Sequence, residues 1–217
     1  MIKGFLFDLD GVIVDTAVFH FQAWRRCAQK LGGDFTEAQN EELKGVSRVD
    51  SLKKIVEWTG ASVTADEFEA LMVEKNEWYL ELVQELSAAD GLPGAVAFLE
   101  QAHAQGIKIA LGSASKNAPM ILDKMGLKTL FDAIIDGNNV INGKPHPEVF
   151  LKGAAALGLN PEECIVFEDS IAGVQAAKTG GMSCVGIGAP ETLEGADVHF
   201  TALGDTTPEE LVARFNV

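Results

Sequence analysis

Cysteine is scarce in this 217-residue chain: Cys27, Cys164 and Cys184, an odd number with no Cys-x-x-Cys pair. A disulfide framework or a zinc site is therefore not expected, and a reducing compartment is. Basic residues are also few, 17 Lys and Arg against 32 Asp and Glu, for a formal net charge of −15. Gripping nucleic-acid phosphates or an anionic membrane surface takes clustered Lys and Arg, so neither nucleic acid nor membrane is an expected partner. The apolar stretch at the N-terminus meets Asp8 and Asp10 almost at once. It is too short for a signal-peptide core or a membrane span, and a cytoplasmic protein is expected. Internal repeats and low-complexity tracts are lacking as well.

What is present is an ordinary apolar fraction, 47%, enough for one large domain or a main domain with a smaller insertion. Residues 2–7 are apolar and aromatic and then break into Asp8-Leu9-Asp10-Gly11. Similar short runs stand at 107–111, 164–167 and 184–187, with a weaker one at 133–135. Each has the length and composition of a buried strand. Helical stretches alternate with them at 93–105, 118–124, 147–157 and 172–178, three of them running up to Gly106, Gly126 or Gly158 and the last closely followed by Gly180. Such alternation predicts an α/β fold, a Rossmann-like parallel sheet with helices on both faces. Residues 15–87 carry no convincing strand, only helical periodicity at 17–31, 49–58 and 65–86. The expected organisation is a core of residues 1–14 and 88–217 with an inserted α-helical cap domain, 15–87.

Chemistry gathers where strands end. Asp8 and Asp10 lie two apart on an extended segment and point the same way, and Gly11 permits a tight turn. Glu168-Asp169 forms a second acidic pair after a second strand, with Ser170 able to cap the next helix. Carboxylates converging on one sheet edge need a cation, and an all-oxygen set suits Mg²⁺. Gly112-Ser113-Ala114-Ser115, between strand and helix, is suited to cradle phosphate, although an ordinary Ser cap reads the same way. In Lys144-Pro145-His146-Pro147 the prolines stiffen the chain around a point charge, but alone Lys144 reads equally well as a surface lysine. Gly186-Ile187-Gly188 lacks the third glycine of a dinucleotide loop and is rejected as one.

Taken in order, Asp-x-Asp, then Ser, then Lys, then an acidic pair resemble the haloacid dehalogenase-like hydrolase superfamily. The helical insertion, with Lys44-Gly45-Val46-Ser47-Arg48-Val49-Asp50-Ser51-Leu52 and Ser113 to Asn117, resembles the sugar phosphomutase branch of it. The resemblance implies that Asp8 is the nucleophile that becomes an aspartyl phosphate and that Asp10 is the general acid and base. It implies Mg²⁺ held by Asp8, the Asp10 carbonyl, Glu168 and Asp169, and a transferring phosphoryl group held by Ser113, Ala114 and Lys144. A second, parked phosphate would meet Arg48 from the cap, with Ser115, Lys116 and Asn117 completing the site from the core. Ser47-x-x-Asp50 reads as a capping box that puts Arg48 in a first helical turn. Thr16, His20 and Trp24, four apart, share a helix face; turned to the cleft, His20 would meet the sugar or Asp10 and Trp24 would stack on the ring, the plainer reading being a core Trp. Lys44, Gly45, Val46 and Ser51 belong to the expected substrate loop, and Lys75 would add charge from a Glu-rich helix, unless it pairs with an acid there. Residues 15–16 and 87–91 would be the hinges of a cap that shuts out water. The implied activity is interconversion of β-glucose 1-phosphate and glucose 6-phosphate through the bisphosphate, by a monomer acting on a small sugar phosphate. A sugar-phosphate phosphatase and a non-catalytic binding protein are the alternatives.

Overall fold

The computed structural model describes residues 1–216. In chain order, strand β1 is Gly4–Phe7, and helices α1 (Ala17–Lys30), α2 (Glu37–Glu41), α3 (Arg48–Thr59) and α4 (Ala65–Leu82) follow. Then come α5 (Ala95–Ala104), β2 (Lys108–Gly112), α6 (Ala118–Lys124), β3 (Ala133–Ile135) and α7 (Glu148–Leu157). The chain finishes with β4 (Cys164–Glu168), α8 (Ile171–Thr179), β5 (Ser183–Ile187), β6 (Val198–Phe200) and α9 (Pro208–Phe215). Contacts divide it into two compact units, one of residues 1–15 with those from 86 onward, the other of residues 16–85.

In the first unit, six strands among the described residues form one sheet in the order β3-β2-β1-β4-β5-β6, every pair parallel. The α/β reading is correct. A parallel sheet covered on both faces needs near-continuous apolar strands, and β1, β4 and most of β2 and β5 are buried throughout. The register sets Phe7 beside both Leu111 and Phe167. The Phe7 and Phe167 rings stack at 4.5 Å, and Phe5 and Phe98 close edge-on against Phe167 at 5.1 and 5.4 Å. On another face Leu6, Ala110 and Val166 pack with Phe150 of α7 and Val174 of α8. Gly112 is glycine because an added Cβ would lie 2.8 Å from the Phe150 ring, so helix and strand can approach closely.

The sequence expectations need adjusting at several elements. Strand β6 and helices α2 and α9 were not anticipated. β6 is three residues long and only partly covered, too short for a period to register. Pro93 lies outside α5, whose N-cap is Gly94 at φ 77°; there an added Cβ would strike the Gly204 backbone at 2.2 Å. The final helical stretch of the insertion stops at Leu82 and tightens into a 3₁₀ turn at Val83–Glu85.

The second unit is a helical bundle with its own core: Trp24, Cys27, Ala28, Phe35, Leu52, Ile55 and Leu71. Thr36 and Thr64 close reciprocal capping boxes with Gln39 and Glu67. No described helix is long and apolar enough to cross a membrane.

Truncating the buried Phe167 ring leaves a cavity at the centre of the aromatic cluster. Phe167→Ala should lower the stability of the first unit by about 3–5 kcal/mol, measured by denaturant unfolding followed by circular dichroism.

Candidate active site

Open parallel sheets bind ligands beyond the carboxyl ends of their strands, and the acidic residues gather there. Asp8 leaves β1 with its N–H on the Phe167 carbonyl at 3.0 Å, which sets it alongside Glu168 at the end of β4. Between them lies Lys144. Its Nζ stands 3.0 Å from Asp8 Oδ1 and donates to Glu168 Oε1, and its side chain is 1% exposed. The other Glu168 oxygen accepts the N–H and the hydroxyl of Ser170, each at 2.9 Å. Ser170 in turn caps α8 by accepting from the Gly173 N–H. Two glycines make room for these acids. A Cβ on Gly173 would sit 1.8 Å from the Glu168 carboxylate, and one on Gly11, at φ 74°, would sit 2.0 Å from Asp169 Oδ2.

Burial pushes the Asp8 carboxyl up to about 7; Lys144 opposes the shift, and Glu168 and Asp10 add to it. Burial also works against the Lys144 ammonium, but Asp8 and Glu168 outweigh it and hold its pKa above the ordinary value. One ammonium thus leaves the acidic edge under-neutralised. Carboxylate oxygens of Asp8, Glu168 and Asp169 lie within 4.8 Å of one another. That spacing and the all-oxygen donor set fit a hard divalent cation such as Mg²⁺. Lys144 bonds Asp8 and Glu168 alike, so the set that could hold the ion is one the lysine already ties together.

After β2, the 113–117 loop is tied to itself. The Ser113 N–H is held by the Ile135 carbonyl, the Ser115 N–H by the Ser113 hydroxyl and the Asn117 N–H by the Ser115 hydroxyl. Ser113 is buried, Ala114, Ser115 and Asn117 are half-buried, and Lys116 is exposed.

In the second unit, Arg48 opens α3 behind Ser47, whose hydroxyl accepts the Asp50 N–H and donates to the Asp50 carboxylate. That carboxylate also takes Lys53. Lys44 pairs with Glu41 at 3.0 Å, Gly45 turns at φ 71°, Val46 is half-buried and Ser51 is buried. Lys75 is not a surface residue of an acidic helix. It is 1% exposed, its Nζ lies 2.8 Å from His20 Nδ1, and it sits 4.2 Å over the Trp24 ring and 5.0 Å from that of Tyr79. An ammonium has only donors, so Nδ1 accepts and Nε2 carries the proton of a neutral His20. Thr16 is buried, its Oγ accepting from the Tyr79 hydroxyl at 3.1 Å. Trp24, at 3% exposure, belongs to the bundle core, the plainer of its two readings, with the Lys75 ammonium over its ring.

A family model for a haloacid dehalogenase-like hydrolase matches residues 2–181. The chain belongs to that family. It is 42% identical over 211 residues to β-phosphoglucomutase of Bacillus subtilis (strain 168), covering 96% of this chain and 93% of that protein. It is similar in structure to β-phosphoglucomutase from Clostridium difficile, with a TM-score of 0.96 and 41% identity over 100% of this chain and 98% of the other. A phosphorylated carbohydrates phosphatase of Thermotoga maritima is 33% identical over 183 residues, covering 83% of this chain and 82% of that protein.

In this haloacid dehalogenase-like hydrolase, sequence reading passed over Tyr79 and Gly173. Tyr79 is the chain's single tyrosine, four residues after Lys75, and its ring stacks on His20 at 4.2 Å; that spacing was a usable signal. Gly173 gave none, because its need arises from a carboxylate that only the fold brings near.

Burial, then Lys75 and Arg48, hold the His20 pKa well below 6.5. The folded form therefore binds the proton more weakly than the unfolded chain. Stability should carry no penalty from His20 above pH 6.5 and decline as pH falls below it. All three tryptophans, Trp24, Trp58 and Trp78, lie in the second unit. Urea unfolding followed by their fluorescence should fall less between pH 7.5 and 5 for His20→Asn than for the wild type.

Proposed function

We propose that the chain is a β-phosphoglucomutase, interconverting β-D-glucose 1-phosphate and D-glucose 6-phosphate through an aspartyl-phosphate enzyme and glucose 1,6-bisphosphate. The observation that carries this is the 42% identity to a β-phosphoglucomutase over 96% of the chain, which includes the helical unit as well as the acidic sheet edge.

In this reading an Asp8 oxygen attacks phosphorus while the bond from phosphorus to the sugar oxygen breaks, and Asp10 gives that oxygen its proton. In the opposite direction Asp10 takes the proton from the accepting sugar hydroxyl, which captures the phosphoryl group from Asp8. The phosphoryl group on Asp8 goes to the 6-hydroxyl of β-glucose 1-phosphate and stays there, giving the bisphosphate; Asp8 then takes the other phosphoryl group, from the 1-position, which leaves glucose 6-phosphate and restores the phosphoenzyme. Lys144, the Ser113 hydroxyl and the Ala114 N–H hold the transferring group in line. Asp8, Asp169 and the Asp10 carbonyl, with Glu168 beside them, would hold Mg²⁺. When bound, the ion would draw charge from the phosphoryl oxygens as negative charge develops there.

The bisphosphate carries a second phosphate that does not react, and it needs its own cation. Arg48, in the first turn of α3, offers a planar fork that matches phosphate bidentately; Ser115, Lys116 and Asn117 are the core residues assigned to the same group. His20, with its proton on Nε2, is a donor for a sugar oxygen or for Asp10. Lys44, Gly45 and Val46, just ahead of α3, and Ser51 within it complete the substrate-binding segment, and Thr16 and Lys75 support His20. The protein acts as a cytoplasmic monomer on a small sugar phosphate.

With β-glucose 1-phosphate, Mg²⁺ and a trace of glucose 1,6-bisphosphate, glucose 6-phosphate should rise without matching free phosphate. Free phosphate alone would replace the mutase by a phosphatase like the Thermotoga maritima relative. Asp8→Asn should abolish the phosphoenzyme seen by mass spectrometry, and chelation of Mg²⁺ should abolish turnover reversibly. Arg48→Ala should lower mutase turnover by about a hundredfold, the scale of a lost charge-assisted pair, and hydrolysis of a simple phosphate ester much less; equal losses would remove Arg48 from the second phosphate.

A further inference from the structure

The segment from residue 136 to Lys144 leaves β3 beside the 113–117 loop, whose Ser113 and Ala114 are assigned to the transferring phosphate, and ends at the lysine assigned to the same group. Its first part lies against that loop. A Cβ on Gly137 would be 2.3 Å from the Ala114 carbonyl oxygen, and the Asn138 amide donates to the Lys116 carbonyl at 3.3 Å. Its middle has little apolar anchorage: Ile141 is 91% exposed, and Asn138, Asn139 and Asn142 are exposed too, while Val140 reaches the core.

Two side chains one turn apart on α7 take hold of that middle. Glu148 Oε1 accepts the Ile141 N–H at 3.0 Å, and Oε2 accepts the Asn142 N–H at 2.9 Å and its side-chain amide at 3.0 Å. Lys152 Nζ donates to the Asn139 carbonyl at 2.6 Å and to Glu148 Oε1 at 2.7 Å. Lys152, then the Asn142 and Ile141 N–H groups, draw the Glu148 carboxyl down to about 2, so it stays ionised throughout the working range. Helix α7 is itself fixed by buried Val149 and Phe150, the latter against Gly112, and the Lys144 ammonium lies 4.9 Å from the Phe150 ring centre. The anchor points thus lie on a packed helix, and beyond the 136–139 turn, which holds itself through the Asp136 and Asn139 side chains, the exposed middle of the strap is held by these polar contacts.

We propose that Glu148 and Lys152 are positioning residues, a clamp that fixes the 136–144 segment and so sets Lys144 and the Ser113 loop at the spacing the transferring phosphoryl group requires. Neither side chain is assigned a contact with substrate; both act through the backbone they hold. The proposal rests on the phosphoryl-transfer reading of Asp8, though not on which sugar is used. A misplacement of the order of an ångström costs about a hundredfold in rate, and groups that act on the transition state lower kcat more than they raise KM.

The test compares wild type with Glu148→Ala, Glu148→Gln and Lys152→Met, and with Lys178→Met as a control that removes an ion pair to Asp197 elsewhere. Hydrolysis of p-nitrophenyl phosphate and mutase turnover are measured per folded molecule, with melting temperature and amide hydrogen exchange across 136–146. The clamp predicts that Glu148→Ala lowers kcat for both reactions by one common factor of about ten to a hundred, with KM little changed and exchange faster in that segment. Lys152→Met and Glu148→Gln should lose less in the same direction, and they decide the matter should Glu148→Ala not fold; Lys178→Met should match the wild type. Faster exchange with unchanged kcat, or a rate loss no greater than the loss of folded protein, would overturn it. A wild type that hydrolyses the ester but does not interconvert glucose phosphates would end the mutase reading and leave the clamp to be judged on the ester.

Discussion

An ammonium buried between two carboxylates organises the acidic edge of the sheet. Asp8 and Glu168 end adjacent parallel strands, so hydrogen-bond register alone forces two buried acids together. Burying like charges is costly unless they are paired and hydrogen-bonded. Lys144 bonds to both, and Ser170 satisfies the remaining Glu168 oxygen. The arrangement also limits its neighbours: residue 173 must lack a Cβ so that Glu168 can lie over the start of α8, and residue 11 must lack one so that Asp169 can approach the turn after Asp10. Even so, burial raises the Asp8 carboxyl to about 7, with Glu168 and Asp10 adding to what the single ammonium does not offset. That shortfall, with the all-oxygen donor set of Asp8, Glu168 and Asp169, suits the edge to a divalent cation.

The helical unit solves a similar problem differently. Lys75 is as deeply buried as Lys144, yet its described neighbours include the Trp24 and Tyr79 rings and the unprotonated nitrogen of His20. Aromatic faces attract a cation without adding formal charge. His20 is thereby fixed in one tautomer and kept neutral. The unit that holds Arg48 is itself acidic, so Lys75 is a buried cation in a unit with more carboxylates than bases.

Legibility varied with the kind of signal. The fully buried strands were readable because a short, near-continuous apolar run bounded by glycines and acids suits a strand covered on both faces and little else. β6 escaped because three partly covered residues carry no period; α9 was missed although Thr207-Pro208-Glu209-Glu210 is a capping-box signature with proline at the first helical position. Thr16, His20 and Trp24 were rightly grouped on one helix face, but spacing says nothing about whether that face meets ligand or core. For Trp24 the answer was the core, since an indole gains more from burial among Phe35, Leu52 and Leu71 than from exposure.

By itself, the sequence determined the α/β class, the helical insertion, the family and the acidic, serine and lysine positions in their order, because these depend on local composition and on spacing along the chain. Only the tertiary structure decided which oxygen of Glu168 serves Lys144, why residues 11 and 173 are glycine, that Lys75 is buried against Tyr79, and that Glu148 and Lys152 hold the strap leading to Lys144. Those facts depend on groups far apart in sequence meeting at a few ångströms, and such distances are set by strand register and helix packing rather than by residue type.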